Sequence, residues 1–141
     1  MRIVLDTNVL VSGLLSPFGP PGQIVRLVSA GAVTLCLDAR VFSEYDEVLA
    51  RPRFRFDPDA VAALLDYVDF AGEVVVAKPL ATRLPDRDDE PFLEVALACG
   101  ADCLVTGNLA HFPPESRAGV TVLSPAEFVD RVRSEGLAGD T

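Results

Sequence analysis

The chain has 141 residues, half of them hydrophobic, and a formal net charge of -9, so a single domain with one real core is expected and disorder is excluded. The acidic balance speaks against gripping nucleic acid by charge alone, because phosphate contacts are ordinarily made by lysine and arginine; carboxylates gathered at one place would need cations to make phosphate approachable. No uninterrupted apolar stretch of membrane-spanning length occurs and an acid stands at position 6, so neither a membrane span nor a signal peptide is expected and the address is read as cytoplasmic.

In chain order, RIVL (2–5) reads as a first strand, followed at once by Asp6, Thr7 and Asn8. Pro20 and Pro21 open a helix that Gly31 closes, and VTLCL (33–37) is a second strand with Asp38 directly after it. In the helix over 39–50, Val41, Phe42, Tyr45, Val48 and Leu49 make the apolar stripe, Glu44 borders it, and Glu47 points further toward solvent. The segment RPRFRF (51–56) interleaves Arg51, Arg53 and Arg55 with Phe54 and Phe56. It reads either as a patch that holds phosphates and stacks bases or as a helix-to-loop exit whose phenylalanines pack in the core.

Asp57 and Pro58 open a helix closed by Gly72, EVVVA (73–77) is a third strand, and a helix runs from near Asp89 to Gly100. DCLV (102–105) and VTVL (120–123) are the fourth and fifth strands, and Ser124-Pro125-Ala126-Glu127 is a capping box for a last helix. Strands alternating with helices indicate an α/β domain around a mostly parallel sheet, a single domain over 1–141 whose tail frays from Gly136. Cys36, Cys99 and Cys103 lie in apolar segments and are odd in number, which reads as buried reduced thiols.

Open parallel sheets bind ligands beyond the carboxyl ends of their strands, and that rule singles out Asp6 after the first strand, Asp38 after the second, and Thr106 and Asn108 after the fourth. The stretch DRDDEPFLEVA (86–96) crowds Asp86, Asp88, Asp89 and Glu90 ahead of an apolar helix. Acids suit a helix start, but Asp89 shares its face with Leu93 and Ala96 and so aims along the apolar side, while Glu90 shares another face with Glu94. Asp86 and Asp88 read as loop acids, Asp88 a cap or an auxiliary ligand. Asp6, Glu44 and Asp89 thus come from three elements toward one sheet edge. An all-oxygen set without clustered histidine or cysteine points to Mg²⁺ or Mn²⁺ and to phosphoryl chemistry.

Together LDTNVLVSGLLSP, SEYDEVLARPRF and DRDDEPFLEVALACGADCLVTGN, in order over roughly residues 1–125, resemble the PIN domain family, in particular its toxin-antitoxin branch of VapC-type toxins. The resemblance implies a three-layer α/β/α fold with a central, mostly parallel five-stranded sheet. It implies a metal-dependent endoribonuclease and, for toxin members, a homodimer neutralised by a cognate antitoxin. The family's acids match Asp6, Glu44 and Asp89, and Thr7 and Asn8 match polar residues that orient the first carboxylate. The family's threonine-glycine-aspartate is here Thr106-Gly107-Asn108. An amide oxygen at 108 can ligate a metal but brings no charge, which leaves Asp86, Asp88 or water to complete the site. His111 reads as a phosphate contact or proton carrier, or as a histidine that stabilises its loop. Arg51, Arg53 and Arg55 stand as RNA-contact candidates. A structure-specific DNA nuclease and a catalytically silent RNA- or protein-binding module are the alternatives.

Overall fold

The computed structural model describes residues 1–136; the tail expected to fray beyond Gly136 lies outside the described residues. Five strands, β1 (Arg2–Leu5), β2 (Thr34–Leu37), β3 (Glu73–Val74), β4 (Cys103–Val105) and β5 (Val122–Leu123), form one sheet in the order β3-β2-β1-β4-β5. Every pairing is parallel, with Ile3 opposite Leu35 on one side and Cys103 on the other. Ile3, Val4 and Leu5 point alternately to opposite faces, yet all three are fully buried. Both faces are therefore covered, which gives the α/β/α layering that all-parallel sheets require.

Six helices supply the cover: α1 (Thr7–Leu15), α2 (Pro20–Ser29), α3 (Ala39–Leu49), α4 (Pro58–Ala71), α5 (Glu90–Cys99) and α6 (Pro125–Ser134). α5 packs on β1, β2 and β4, α3 and α4 on β2, and α6 on β5 and α2. The helix α1, which the sequence reading leaves unassigned, begins at the residue after Asp6. Its Gly13 lets α2 approach, since a Cβ there would lie 2.6 Å from a Val25 methyl and 2.7 Å from the Pro21 carbonyl.

The local signals hold where capping chemistry is strong. The Ser124 hydroxyl accepts from the Glu127 N–H, and the Glu127 carboxylate accepts from the Ser124 N–H. The Asp38 carboxylate accepts from the Val41 N–H at 3.0 Å, so this acid after β2 is a helix cap, held further by Arg40. Two strands are shorter than expected by two residues or more: 73–77 contracts to Glu73–Val74 and 120–123 to Val122–Leu123. Both are at sheet edges, where a single neighbour supplies the ladder and pairing stops once the chain diverges from it.

The described residues include no helix long and apolar enough to cross a membrane. Cys36, Cys99 and Cys103 are buried free thiols.

Candidate functional site

The site starts at the end of β1, where Leu5 is the last strand residue and Asp6 precedes α1. Asp6 is buried, and its Oδ2 accepts from the Thr106 hydroxyl at 2.8 Å. Thr106 follows β4, the strand paired with β1, and its hydroxyl oxygen also accepts from the Asn108 N–H at 3.0 Å. The hydroxyl orienting the first carboxylate is thus that of Thr106, alongside the peptide N–H groups of Thr7 and Asn8. Thr7, expected in that part, instead donates its hydroxyl to Glu44, and Asn8 accepts from the Gly107 N–H at 3.3 Å. The turn that starts α1 carries Thr7 away from Asp6 and toward α3.

Glu44 reaches inward from α3 because Tyr45 beside it is locked. Tyr45 is fully buried, donates its hydroxyl to the Leu5 carbonyl at 2.6 Å and packs against Phe92 at 6.5 Å between ring centroids. One side chain therefore ties α3, β1 and α5 together directly beneath the acids. Tyr45→Phe keeps the packing and strands a buried carbonyl, so it is expected to cost about 1–3 kcal/mol, read as a lower denaturation midpoint with unchanged circular dichroism.

Asp89 arrives by a turn at Arg87–Asp89, capped by Asp86, whose Oδ1 accepts from the Asp88 N–H at 2.9 Å. Asp89 is only 9% exposed, and its Oδ2 is buried without a hydrogen bond. The nearest group able to carry positive charge is His111, whose Nδ1 lies 3.0 Å from that oxygen. The far ring nitrogen, Nε2, is 2.9 Å from the Asn108 amide. Asn108 thus faces the imidazole.

Burial pushes the Asp89 carboxyl up from 3.8 to about 6, with the neighbouring Asp6 charge adding to the effect and His111 opposing it. Burial also raises Asp6, against the Thr106 hydrogen bond and the peptide N–H groups opening α1, and raises Glu44, where Thr7 opposes and the charge on Asp6 assists. The three acids thus act on one another through Asp6. Their ligand oxygens are not drawn into one tight group, however. Among the described residues, the acidic group whose ligand atoms all lie within 4.8 Å of one another is Asp86, Asp89 and His111. Unscreened carboxylates repel, and Asp6 and Glu44 are each held by a threonine on their own side.

A carboxyl whose pKa is higher in the folded state binds more protons there, so its contribution to stability is lost as pH rises through the folded value. Without divalent ions, the parent is expected to lose stability relative to Asp89→Asn as pH climbs from about 4 through about 6. Denaturant titrations of both proteins across that window check it; parallel pH profiles would remove the shift.

Glu90 and Glu94, which share a helix face apart from that of Asp89, are 6% and 7% exposed. Glu90 accepts from the Leu84 N–H and from Arg83, both at 3.0 Å; Glu94 accepts from the Leu80 N–H at 2.9 Å and from Arg40 at 2.7 Å. The segment between β3 and α5 folds over that side of the helix, and the two glutamates satisfy its backbone. No local pattern announces this, because the partners are peptide groups 6 and 14 residues away.

The arginine segment is a turn at Pro52–Phe54. Phe54 and Phe56 stack at 5.5 Å, Arg53 lies over Phe54 at 4.9 Å, and Arg51 pairs with Glu47. Both phenylalanines are half-buried while the three arginines are exposed, so each of the two readings of this stretch keeps part of its support. A second group with metal-ligand spacing, Cys36, Glu73 and Cys99, lies elsewhere. There Arg2 already pairs with Glu73 at 2.9 Å, and burial raises both thiols.

The model of the PIN domain matches residues 2–110. The chain belongs to the PIN domain family. An uncharacterized protein of Methanocaldococcus jannaschii is 23% identical over 111 residues, covering 77% of this chain and 71% of that protein. PIN domains are nuclease folds, generally hydrolases that use divalent metals, and this PIN domain's donor set fits such an ion. It offers oxygens from separate elements, each raised in pKa by burial, and one buried carboxylate oxygen without a hydrogen bond.

Proposed function

We propose that this PIN domain is a divalent-metal-dependent endoribonuclease in which Asp6, Glu44 and Asp89 hold Mg²⁺ or Mn²⁺. The observation that carries the reading is Asp89 Oδ2, buried without a hydrogen bond and within the field of Asp6. Leaving such an oxygen unsatisfied is costly, and a cation offsets that cost and the repulsion together. When bound, the ion supplies Lewis acidity for phosphodiester hydrolysis, easing deprotonation of water and screening charge on the phosphate.

The chain's own residues do the placing. Thr106 holds Asp6, Thr7 holds Glu44, and Tyr45 fixes α3 against β1 so that Glu44 keeps its reach. A backbone phosphate would approach this edge through the ion, consistent with a chain whose net charge is -9. Arg53 and Arg55, exposed beside a stacked phenylalanine pair, are the proposed contacts for the single strand away from the cut.

The deciding assay is cleavage of single-stranded RNA with Mn²⁺, Mg²⁺ or chelator, using the parent and Asp6→Asn. Metal-dependent cutting that Asp6→Asn loses, with 5′-phosphate and 3′-hydroxyl ends, is expected. Cleavage that survives chelator and Asp6→Asn alike would end this reading, and preference for branched DNA would move it to a structure-specific DNA nuclease.

The likeness of the three sequence motifs to VapC-type toxins supports a narrower role as the toxin of a toxin-antitoxin pair, cytoplasmic and homodimeric. A small antitoxin gene beside this one is then expected, with a complex of the two proteins on co-expression. A second reading, a PIN module that binds RNA or protein without cutting, is favoured by Asn108 standing where the family has an acid. RNA binding without cleavage in any metal would select it.

A further inference from the structure

His111 is the chain's one histidine. A turn at Leu109–His111, after β4, brings it to the start of α5. Its Nδ1 lies 3.0 Å from Asp89 Oδ2, and ligand atoms of Asp86, Asp89 and His111 all fall within 4.8 Å of one another. Asp86 spends Oδ1 on the Asp88 N–H and keeps its other oxygen. Asp89 Oδ2 is buried and makes no hydrogen bond with the ring despite the short distance. A simple ion pair would put one shared positive charge between two carboxylates and leave that oxygen poorly met. A divalent ion meets both acids and the ring at once.

The other side of the imidazole can be matched to this arrangement. Nε2 is 2.9 Å from the Asn108 amide nitrogen. The oxygen and nitrogen of that amide exchange places by rotation, so Asn108 can accept the Nε2 proton, which leaves the Nδ1 lone pair facing the two carboxylates. Ligating histidines are held in this manner, one nitrogen on the metal and the other on an outward hydrogen-bond acceptor.

We propose that His111 Nδ1, Asp86 and Asp89 form an imidazole-carboxylate site for a first-row transition ion such as Mn²⁺, Co²⁺ or Zn²⁺, with Asn108 as the positioning residue that sets the ring's tautomer. The proposal rests on the divalent-metal reading above and deepens it. It adds His111 to the expected ligands, gives Asp86 the completing part that the sequence left open, and names the class of metal, because an imidazole nitrogen favours these ions over Mg²⁺. It also gives Asn108 a part in the site without requiring it to touch metal.

With one histidine, the imidazole ¹⁵N resonances of the full chain need no assignment. Zn²⁺ is expected to shift the Nδ1 resonance strongly and Nε2 little, and Mn²⁺ to broaden the ring signals. By calorimetry, His111→Ala is expected to weaken Mn²⁺ and Zn²⁺ binding by at least about tenfold while Mg²⁺ binding changes less than about twofold, and Asn108→Ala to weaken Zn²⁺ by about tenfold. The His111 side chain is 43% exposed, so its removal leaves the fold in place, which circular dichroism verifies. Ring resonances unmoved by Zn²⁺, or parent-like Mn²⁺ and Zn²⁺ affinity in His111→Ala, would overturn the proposal, and metal-dependent cleavage lost in Asp6→Asn would still stand apart from it. Conversely, shifted ring resonances in a protein that cuts no RNA would sink the nuclease reading and uphold the site.

Discussion

Asp89→Asn is expected to lower metal-dependent cleavage by about a hundredfold or more and to leave the metal-free protein at least as stable as the parent. Asparagine keeps the size of the side chain, and Asp89 makes no side-chain cap bond that the change could remove. It removes a carboxylate that burial and the neighbouring Asp6 have already made reluctant to ionise. The parent pays for that charge in the absence of metal; the variant does not. The sign of the stability change separates this account from ordinary core damage, in which activity and stability fall together. Denaturant unfolding without metal and RNA cleavage with Mn²⁺, on the same preparations, give both readouts. A variant that cuts like the parent would remove Asp89 from the metal site. A variant that unfolds more easily at neutral pH would make Asp89 a structural acid.

Glu94→Ala is expected to do the opposite, with stability falling by about 2 kcal/mol and the metal-free pH profile and Mn²⁺ affinity changing little. Its carboxylate holds the Leu80 N–H and one end of Arg40, and Arg40 also binds Asp38, the cap of α3. Arg40 is half exposed and regains water when its partner goes, so most of the cost lies in the stranded peptide group and the loosened segment before α5. In a chain of this size the loss corresponds to a drop in melting temperature of roughly 5–10 °C. Were Glu94 a solvent-facing helix charge, the cost would stay within about 0.5 kcal/mol. Glu90→Ala belongs to the same class, since Leu84 is buried and its N–H depends on that carboxylate.

Features that depend on short range are legible in the chain alone. Strand and helix alternation, the glycine and proline stops, the capping box at Ser124 and the inward reach of Glu44 beside Tyr45 all follow from periodicity and backbone chemistry within a few residues. The parallel sense of the sheet and the family were legible as well, the first from strands alternating with helices and the second from three motifs in order. The tertiary structure alone decided which hydroxyl serves which acid: Thr106, one hundred positions from Asp6, took the place expected of Thr7. It also decided that Glu90 and Glu94 face a covering segment and not water, and that His111 and Asp86 join Asp89. Periodicity says which residues share a face of one helix, but what covers that face is set by chain returning from elsewhere. A carboxylate's role, as cap, as buried acceptor or as ligand, follows from that covering.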